Sequence, residues 1–366
     1  MRGDEMSIIR RPTSRDLNLL LDLYNYRVLT TSQIKRRYYP DSKTYVNKRL
    51  HLMRKSGYIA TESYPRIDRK GFAYHQITDT GISLLREYGY DCPMRSDSLR
   101  VTQQMLPYLF DANEIMIQLV PYGWRMKDSR QVKHDYNMNR GDYIHGSLIA
   151  EDGTEYGFYV LENNTLAKNL EKIIQEIKTT SSYDRGLTDF IVFSKGRDSL
   201  NHFVERANME TRNHKGEITR TKLRPSGSLC VMPFKYALDY LKSKLTDSYF
   251  FEDVFRHKTA PAHWLSPSGK NSFAFIAEYC GEEVYVVNML DSDLTKIDSI
   301  DHYLNDLQRL ERFSDKKRKI LVITEESLLG FHKELIGAND NIYYFAMRRK
   351  LITKTIREKA EMKGGY

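Results

Sequence analysis

The sequence predicts an α+β/α/β multidomain chain: a small helix-rich module at the N-terminus, followed by one or two α/β units. Three observations predict it. The 366 residues suit two or three domains of ordinary size. Nearly all of the net charge of +9 lies in Met1–Tyr90, which holds 17 Lys and Arg against 9 Asp and Glu. Beyond about residue 124, short apolar runs alternate with amphipathic ones, and the cycle repeats after about 130 residues.

The elements follow in order. RRPTSRDLNLLLDLYNYRVLT carries Leu17, Leu20, Leu21 and Tyr24 on one helical face, with Thr13 or Ser14 as cap. TTSQIKRRYY is a second, short helix capped by Thr31 or Ser32. In PDSKTYVNKRLHLMRKSGY, Asp41 or Ser42 caps a third. There Val46, Leu50 and Met53 are spaced for burial, and Gly57 suits a left-handed stop. YIATESY and FAYHQIT are strands around the basic tip PRIDRKG, and TDTGISLLREYGY restarts a helix at Thr78.

Helix, helix, helix, strand, strand, helix is the order of a winged helix-turn-helix. In that arrangement the third helix enters the major groove and its early exposed residues meet base edges. These are Lys43, Thr44, Asn47 and Lys48; Asn suits adenine, and Lys suits guanine or phosphate. Arg66, Arg69 and Lys70 at the wing tip, and Arg36 and Arg37 on the second helix, are placed for backbone contact. A winged helix that binds only proteins has no need for this clustering of cations.

RVTQQMLPYLFDANEIMIQLV is a helical connector interrupted near Pro107. The domains expected are therefore 1–92, a connector 93–123, an α/β unit 124–250 and a second α/β unit 251–366. In the third, DYIHGSLIA and EYGFYVLE form a hairpin across EDGT. The helix LAKNLEKIIQEIKTT, the strand LTDFIVFS, the helix RDSLNHFVERAN, the strand SLCVMPF and the helix KYALDYLKSKL follow, with Asn208–Pro225 too polar to fold. In the fourth, NSFAFIAEYC and EEVYVVNML repeat the hairpin. KIDSIDHYLNDLQRLERF, RKILVIT, ESLLGFHKELI, NIYYFAM and RRKLITKTIREKAEM repeat the alternation. An internal duplication and two unrelated units both fit that order.

YGFYVLENNT ends an apolar run in Glu162, and Asp142 opens the preceding candidate strand. A PD-(D/E)XK nuclease fold sets two such carboxylates around Mg²⁺, with a Lys two residues after the second. Here Asn164 takes the Lys position and lacks its charge. Lys168 or Lys172, four apart on the next helix, could substitute. The catalytic set, if the chain is an enzyme at all, is thus Asp142, Glu162 and Lys168 or Lys172, with Asp142 and Glu162 on Mg²⁺. The missing Lys favours a degenerate scaffold with no cofactor. Asp291 and Asp293 follow the equivalent strand of the second unit without that motif. GxxxxGK[ST], HExxH, CxxC and His-x-His are absent, and Cys92, Cys230 and Cys280 are spaced neither for metal nor for redox work. No apolar run reaches the length of a membrane helix, and MRGDEMSIIRRP lacks a secretory h-region.

The layout resembles the replication-relaxation family of bacterial plasmids and other mobile elements. The similarity lies in QITDTG, where a wing strand runs into a helix start, and in Gly141-Asp142 followed by Leu161-Glu162 and Thr165. Lys172 and Tyr183 continue it. The family often has Pro-Asp at the first site and an acid two places after the Glu; this chain has Gly141-Asp142 and Asn164. The resemblance implies a role in plasmid replication or in processing plasmid DNA. The expected protein binds a specific double-stranded site at a replication or transfer origin. It would be cytoplasmic, nucleoid- or plasmid-associated, alone or as a homodimer, beside replication or transfer proteins. A Mg²⁺-dependent nickase and a winged-helix transcriptional regulator are the alternatives.

Overall fold

The computed structural model describes residues 9, 11–41, 44–65, 71–182, 186–243, 263–267, 273, 275–310 and 318–352. The chain divides into two compact units, Met1–Gln131 and Val132–Tyr366. It is a mixed α/β protein with several sheets.

The first unit runs α1 (Ser14–Tyr26), β1 (Leu29–Thr30), α2 (Thr31–Tyr38), α3 (Tyr45–Lys55), β2 (Ile59–Tyr64), β3 (Phe72–Ile77), α4 (Asp79–Glu87), α5 (Leu106–Leu119) and β4 (Arg125–Asp128). The sheet is antiparallel in the order β1-β3-β2. Thr13 caps α1 in a reciprocal capping box with Asp16. Thr30, one residue earlier than the sequence suggests, does the same for α2 with Gln33. The expected Asp41 or Ser42 cap of α3 gives way to Thr44, whose side chain makes no capping bond. Gly57 ends that helix at φ +74°, the left-handed conformation expected of it. Pro107 does not interrupt the connector: it sits in the first turn of α5, where its missing N–H costs nothing.

Val46, Leu50 and Met53 enter one core with Leu17, Leu20 and Leu23. Beside that core is a buried ion pair. Arg49 of α3 grips Asp16 of α1 with both arms, Nε to Oδ1 at 2.8 Å and Nη2 to Oδ2. The side chains are 14% and 2% exposed, so the pair is largely out of water. Burial raises the Asp16 pKa, but the bonds from Arg49 and Thr13 outweigh it and hold the carboxyl below its ordinary value. His75 of β3 bridges Thr31 of α2 and Thr61 of β2, each at 2.9 Å, and burial pushes its pKa down to about 4.

The second unit follows α6 (Ser129–Asp135), which crosses the division between units. It contains β5 (Gly146–Ile149), β6 (Glu155–Leu161), α7 (Ala167–Ser181), β7 (Asp189–Ser194), α8 (Arg197–Asn208), β8 (Thr211–Arg212), β9 (Ile218–Arg220), β10 (Leu229–Pro233) and α9 (Phe234–Ser243). It continues with β11 (His263–Pro267), β12 (Phe275–Tyr279), β13 (Glu282–Asn288), α10 (Leu294–Leu310), β14 (Lys319–Glu325), α11 (Leu329–Ile336) and β15 (Ile342–Met347). One sheet orders its strands β10-β7-β6-β5, with β5 antiparallel to β6 and the rest parallel. The other runs β11-β12-β13-β14-β15, with β12 antiparallel to β13 and β13, β14 and β15 parallel. Hairpin, helix, strand, helix, strand is thus built twice with the same pairing. Both halves feed one core that includes Tyr159, Phe190 and Val231 from one sheet and Tyr285, Val287 and Val322 from the other.

The turn after β13 stitches the halves together. Asp293 bridges Cys230 and accepts the Leu229 N–H at 2.9 Å, Ser292 O accepts the Val231 N–H at 3.2 Å, and the Tyr236 hydroxyl donates to Leu290 O at 2.6 Å. The polar stretch Asn208–Pro225 is folded, contrary to the expectation. β8 and β9 form a hairpin whose turn is closed by Asn213 Oδ1 accepting from Lys215 N and Glu217 N, with Gly216 at φ +79°.

Arg49→Ala leaves Asp16 charged and buried, so it should destabilise the first unit by about 3–5 kcal/mol. Urea denaturation with hydrogen exchange read on α1 and α3 measures this. Because the Asp16 pKa is lowered on folding, its contribution is present above the ordinary value of 3.8 and is lost as pH falls through the folded value.

Candidate functional site

In the first unit the helix α3 divides its residues by direction. Val46, Leu50 and Met53 face the core and Arg49 turns toward α1, which leaves Thr44, Tyr45, Asn47 and Lys48 exposed. The sequence-predicted Thr44, Asn47 and Lys48 therefore share one outward surface. Lys43, Arg66, Arg69 and Lys70 lie outside the described residues, as does Tyr183.

Arg36 and Arg37 are held within the unit. Arg36, with a half-exposed side chain, pairs with Glu114 of α5. Arg37 donates to Asp22 of α1 at 2.7 Å and to the Tyr38 hydroxyl at 3.3 Å, and its side chain is mostly buried. Burial keeps the Asp22 pKa raised despite Arg37. Both arginines thus tie α2 to its neighbours.

In the second unit, Asp142 precedes the sheet: β5 begins at Gly146, not at Asp142. Extending the pairing of Gly146 with Phe158 would set Asp142 across from Glu162. The chain instead turns, with Asp142 Oδ2 accepting from Asn139 N at 2.7 Å. The neighbours of Asp142 are on α7. Lys172 Nζ donates to Gly141 O at 2.8 Å and lies over the Tyr143 ring at 4.6 Å. Glu176, one turn on, takes the Tyr143 N–H with both oxygens at 2.8 Å. Burial raises the Glu176 pKa; Tyr143 N–H opposes this, Asp142 adds to it, and the result is about 7. These three side chains line a cavity of about 610 Å³ with Tyr136, Asn139 and Thr179. Glu176 was missed in the sequence, although an acid among Ile173, Ile174 and Ile177 on the inner face of α7 was the available signal.

Glu162 stands just beyond β6 with its side chain half exposed, and Lys195 Nζ donates to it at 2.9 Å. The parallel pairing of Leu161 with Ser194 makes this adjacency. Under the pair, His145 is wholly buried against Phe158; burial lowers its pKa to about 4, with Glu162 opposing and Lys195 assisting. Ser199 Oγ lies 2.5 Å from Glu162 O and 2.8 Å from Asn163 O. Gly196 comes so close that a Cβ would sit 2.9 Å from Asn163 Cα, which fixes the turn between β7 and α8. The cation beside Glu162 is Lys195, not Lys168, which is exposed in the first turn of α7, nor Lys172, which belongs with Asp142. Asn164 is exposed.

Asp142 and Glu162 therefore keep different company. Among the described residues there is no group of three or more His, Cys, Asp or Glu arranged to hold a metal ion. That donor set does not fit the several oxygen ligands Mg²⁺ takes. Cys92 and Cys230 are buried thiols and Cys280 is exposed, none in a disulfide. Among the described residues no helix is long and apolar enough to cross a membrane.

The fold is thus a helix-rich unit with a three-stranded sheet, followed in the chain by an α/β unit in which one strand-and-helix order occurs twice. Residues 20–155 match the family model described as replication-relaxation, the family to which QITDTG and Gly141-Asp142 point. The match runs from within α1 to the first residue of β6 and includes Asp142, but stops short of Glu162. No curated protein and no solved structure matches the chain.

Since the Glu176 pKa is raised from 4.5 to about 7, the folded protein keeps a proton that the unfolded chain releases in that window, and stability falls as pH rises through it. Glu176→Gln should lose less stability than the wild type between about pH 5 and pH 8, measured by urea midpoints. Equal losses would mean that Glu176 is not the group responsible.

Proposed function

We propose that this chain binds a specific double-stranded DNA site of a plasmid or other mobile element, at a replication or transfer origin. The first unit is a winged helix-turn-helix, and α3 is its recognition helix. One observation carries the reading: Thr44, Asn47 and Lys48 share the outward face of a helix whose opposite face is locked by core packing and by Arg49. The excess positive charge of the first quarter supplies the attraction to phosphate. Lys43, Arg66, Arg69 and Lys70 add to that charge. The family match supports a role in replication or relaxation of such elements. The protein acts in the cytoplasm on plasmid DNA, as a homodimer where the site is palindromic, with replication or transfer proteins as partners.

The second unit is a PD-(D/E)XK-like scaffold that does not cut. Asp142 and Glu162 have separate partners, and the carboxyl beside Asp142 is Glu176, whose pKa burial raises to about 7. One observation favours the second reading, a Mg²⁺-dependent nickase: Lys195 gives Glu162 the cation that Asn164 lacks. A transcriptional regulator differs from the preferred reading by its target, a promoter in place of an origin.

Asn47→Ala and Lys48→Ala should each weaken binding to the cognate duplex by about 1–3 kcal/mol. Lys48→Ala should also lower the salt dependence by about one counterion if it meets phosphate. Footprints identical to wild type would sink the assignment of α3. Supercoiled plasmid carrying that site should stay supercoiled with Mg²⁺ or Mn²⁺; nicking lost in both Glu162→Ala and Lys195→Ala would establish the nickase instead.

A further inference from the structure

The first residue of α3 is an aromatic, and half of it is exposed. Tyr45 leans on Tyr39, ring centroids 5.7 Å apart at 58°. Tyr39 is buried, and the Arg15 guanidinium lies 5.1 Å from its ring centroid. A tyrosine has an apolar body and a polar tip, so a ring that is half exposed keeps both available for contact. Here the inward positions are taken by Val46 and Arg49, and Tyr45 is propped outward on a fixed platform. On the helix it shares a side with Lys48, three residues on, at the flank of the surface assigned to base contact.

We infer that Tyr45 reads thymine: its ring packs on the 5-methyl groups that thymine displays in the major groove. The inference rests on the DNA-binding reading and adds to it a base preference. Three features carry it. The ring is exposed where the neighbouring side chains are polar, so it offers the apolar contact that a thymine methyl requires and that Asn47 and Lys48 cannot make. The Tyr39 platform limits its rotamers, so little side-chain entropy is lost on binding. The cations beside the platform, Arg15 above Tyr39 and Lys48 on the helix, hold phosphate near the ring without competing for the methyl. A phosphate-binding tyrosine would act through its hydroxyl; a thymine reader acts through the ring.

The test begins with duplexes selected by the full-length protein from a random library. The best duplex is then remade with deoxyuridine at every thymine, which removes methyl groups and nothing else. Wild-type protein should bind the uracil duplex more weakly, by about fourfold for each methyl buried. Tyr45→Ala should bind the thymine duplex more weakly and bind both duplexes alike, while Tyr45→Phe should retain the wild-type preference. A Tyr45→Ala protein that still prefers thymine overturns the inference. So does a wild type indifferent to the methyls, or a Tyr45→Ala loss that is equal on both duplexes and restored only by a hydroxyl. If no duplex is selected, or if Asn47→Ala and Lys48→Ala bind as wild type, the failure belongs to the recognition-helix reading itself. Selection with Tyr45→Ala inert leaves that reading intact and removes only this inference.

Discussion

The orientation of α3 depends on the grip of Arg49 on Asp16. A helix of eleven residues with three buried apolar side chains can roll on its core without losing much contact area. A bidentate guanidinium–carboxylate pair cannot, because both bonds require one plane and one register. Asp16 is itself fixed, since its other role is the capping box that starts α1. The first turn of one helix thus sets the rotation of another. The exposed face of α3 is the consequence of that rotation. Buried ion pairs seldom add stability over apolar replacements, and their better-attested use is to specify one arrangement. Here the pair specifies which face of α3 is exposed.

The second unit is organised by repetition and by its seam. Each half contributes a hairpin whose second strand pairs in parallel with the next two. A single half would leave part of its apolar surface uncovered, and the common core joins them. The seam is polar at its rim: Asp293 satisfies backbone donors from both halves, and Ser292 adopts a positive φ of 49° to let the turn close. Below it His332 spans Ser292 and Thr324, with burial lowering its pKa to about 4. These hydrogen bonds hold the turn. The acids of the second half, Asp291 and Asp293, are accordingly structural: Asp291 accepts from Lys296 at 2.5 Å and from Asp293 N at 3.1 Å.

Much of the fold was legible because periodicity and caps are local. Thr13, Thr78 and Gly57 act where the sequence puts them, and the split of α3 between Val46, Leu50, Met53 and Asn47, Lys48 follows from helical spacing alone. The two-residue β1 was not legible, since Leu29–Thr30 is too short to alternate and exists through its pairing with β3. The hairpin at β8 and β9 reads in the sequence as a polar segment, because its turn is held by Asn213 hydrogen bonds and not by apolar burial. At the site, partners that come from elsewhere in the chain are not legible locally. Nothing next to Arg36 and Arg37 announces Glu114 and Asp22, which other helices bring to them. Asp142 looks like a strand residue until the Asn139 turn removes it from the ladder.

The parallel register of β6 and β7 has a consequence for how such chains are compared. Leu161 and Ser194 are neighbours across the sheet, so the residue after each occupies one small region of space. There Lys195, 33 residues further along the chain, donates to Glu162. A comparison that reads only the residues next to Glu162 in the chain misses this pair, because parallel strand ends bring together charges that linear spacing keeps apart.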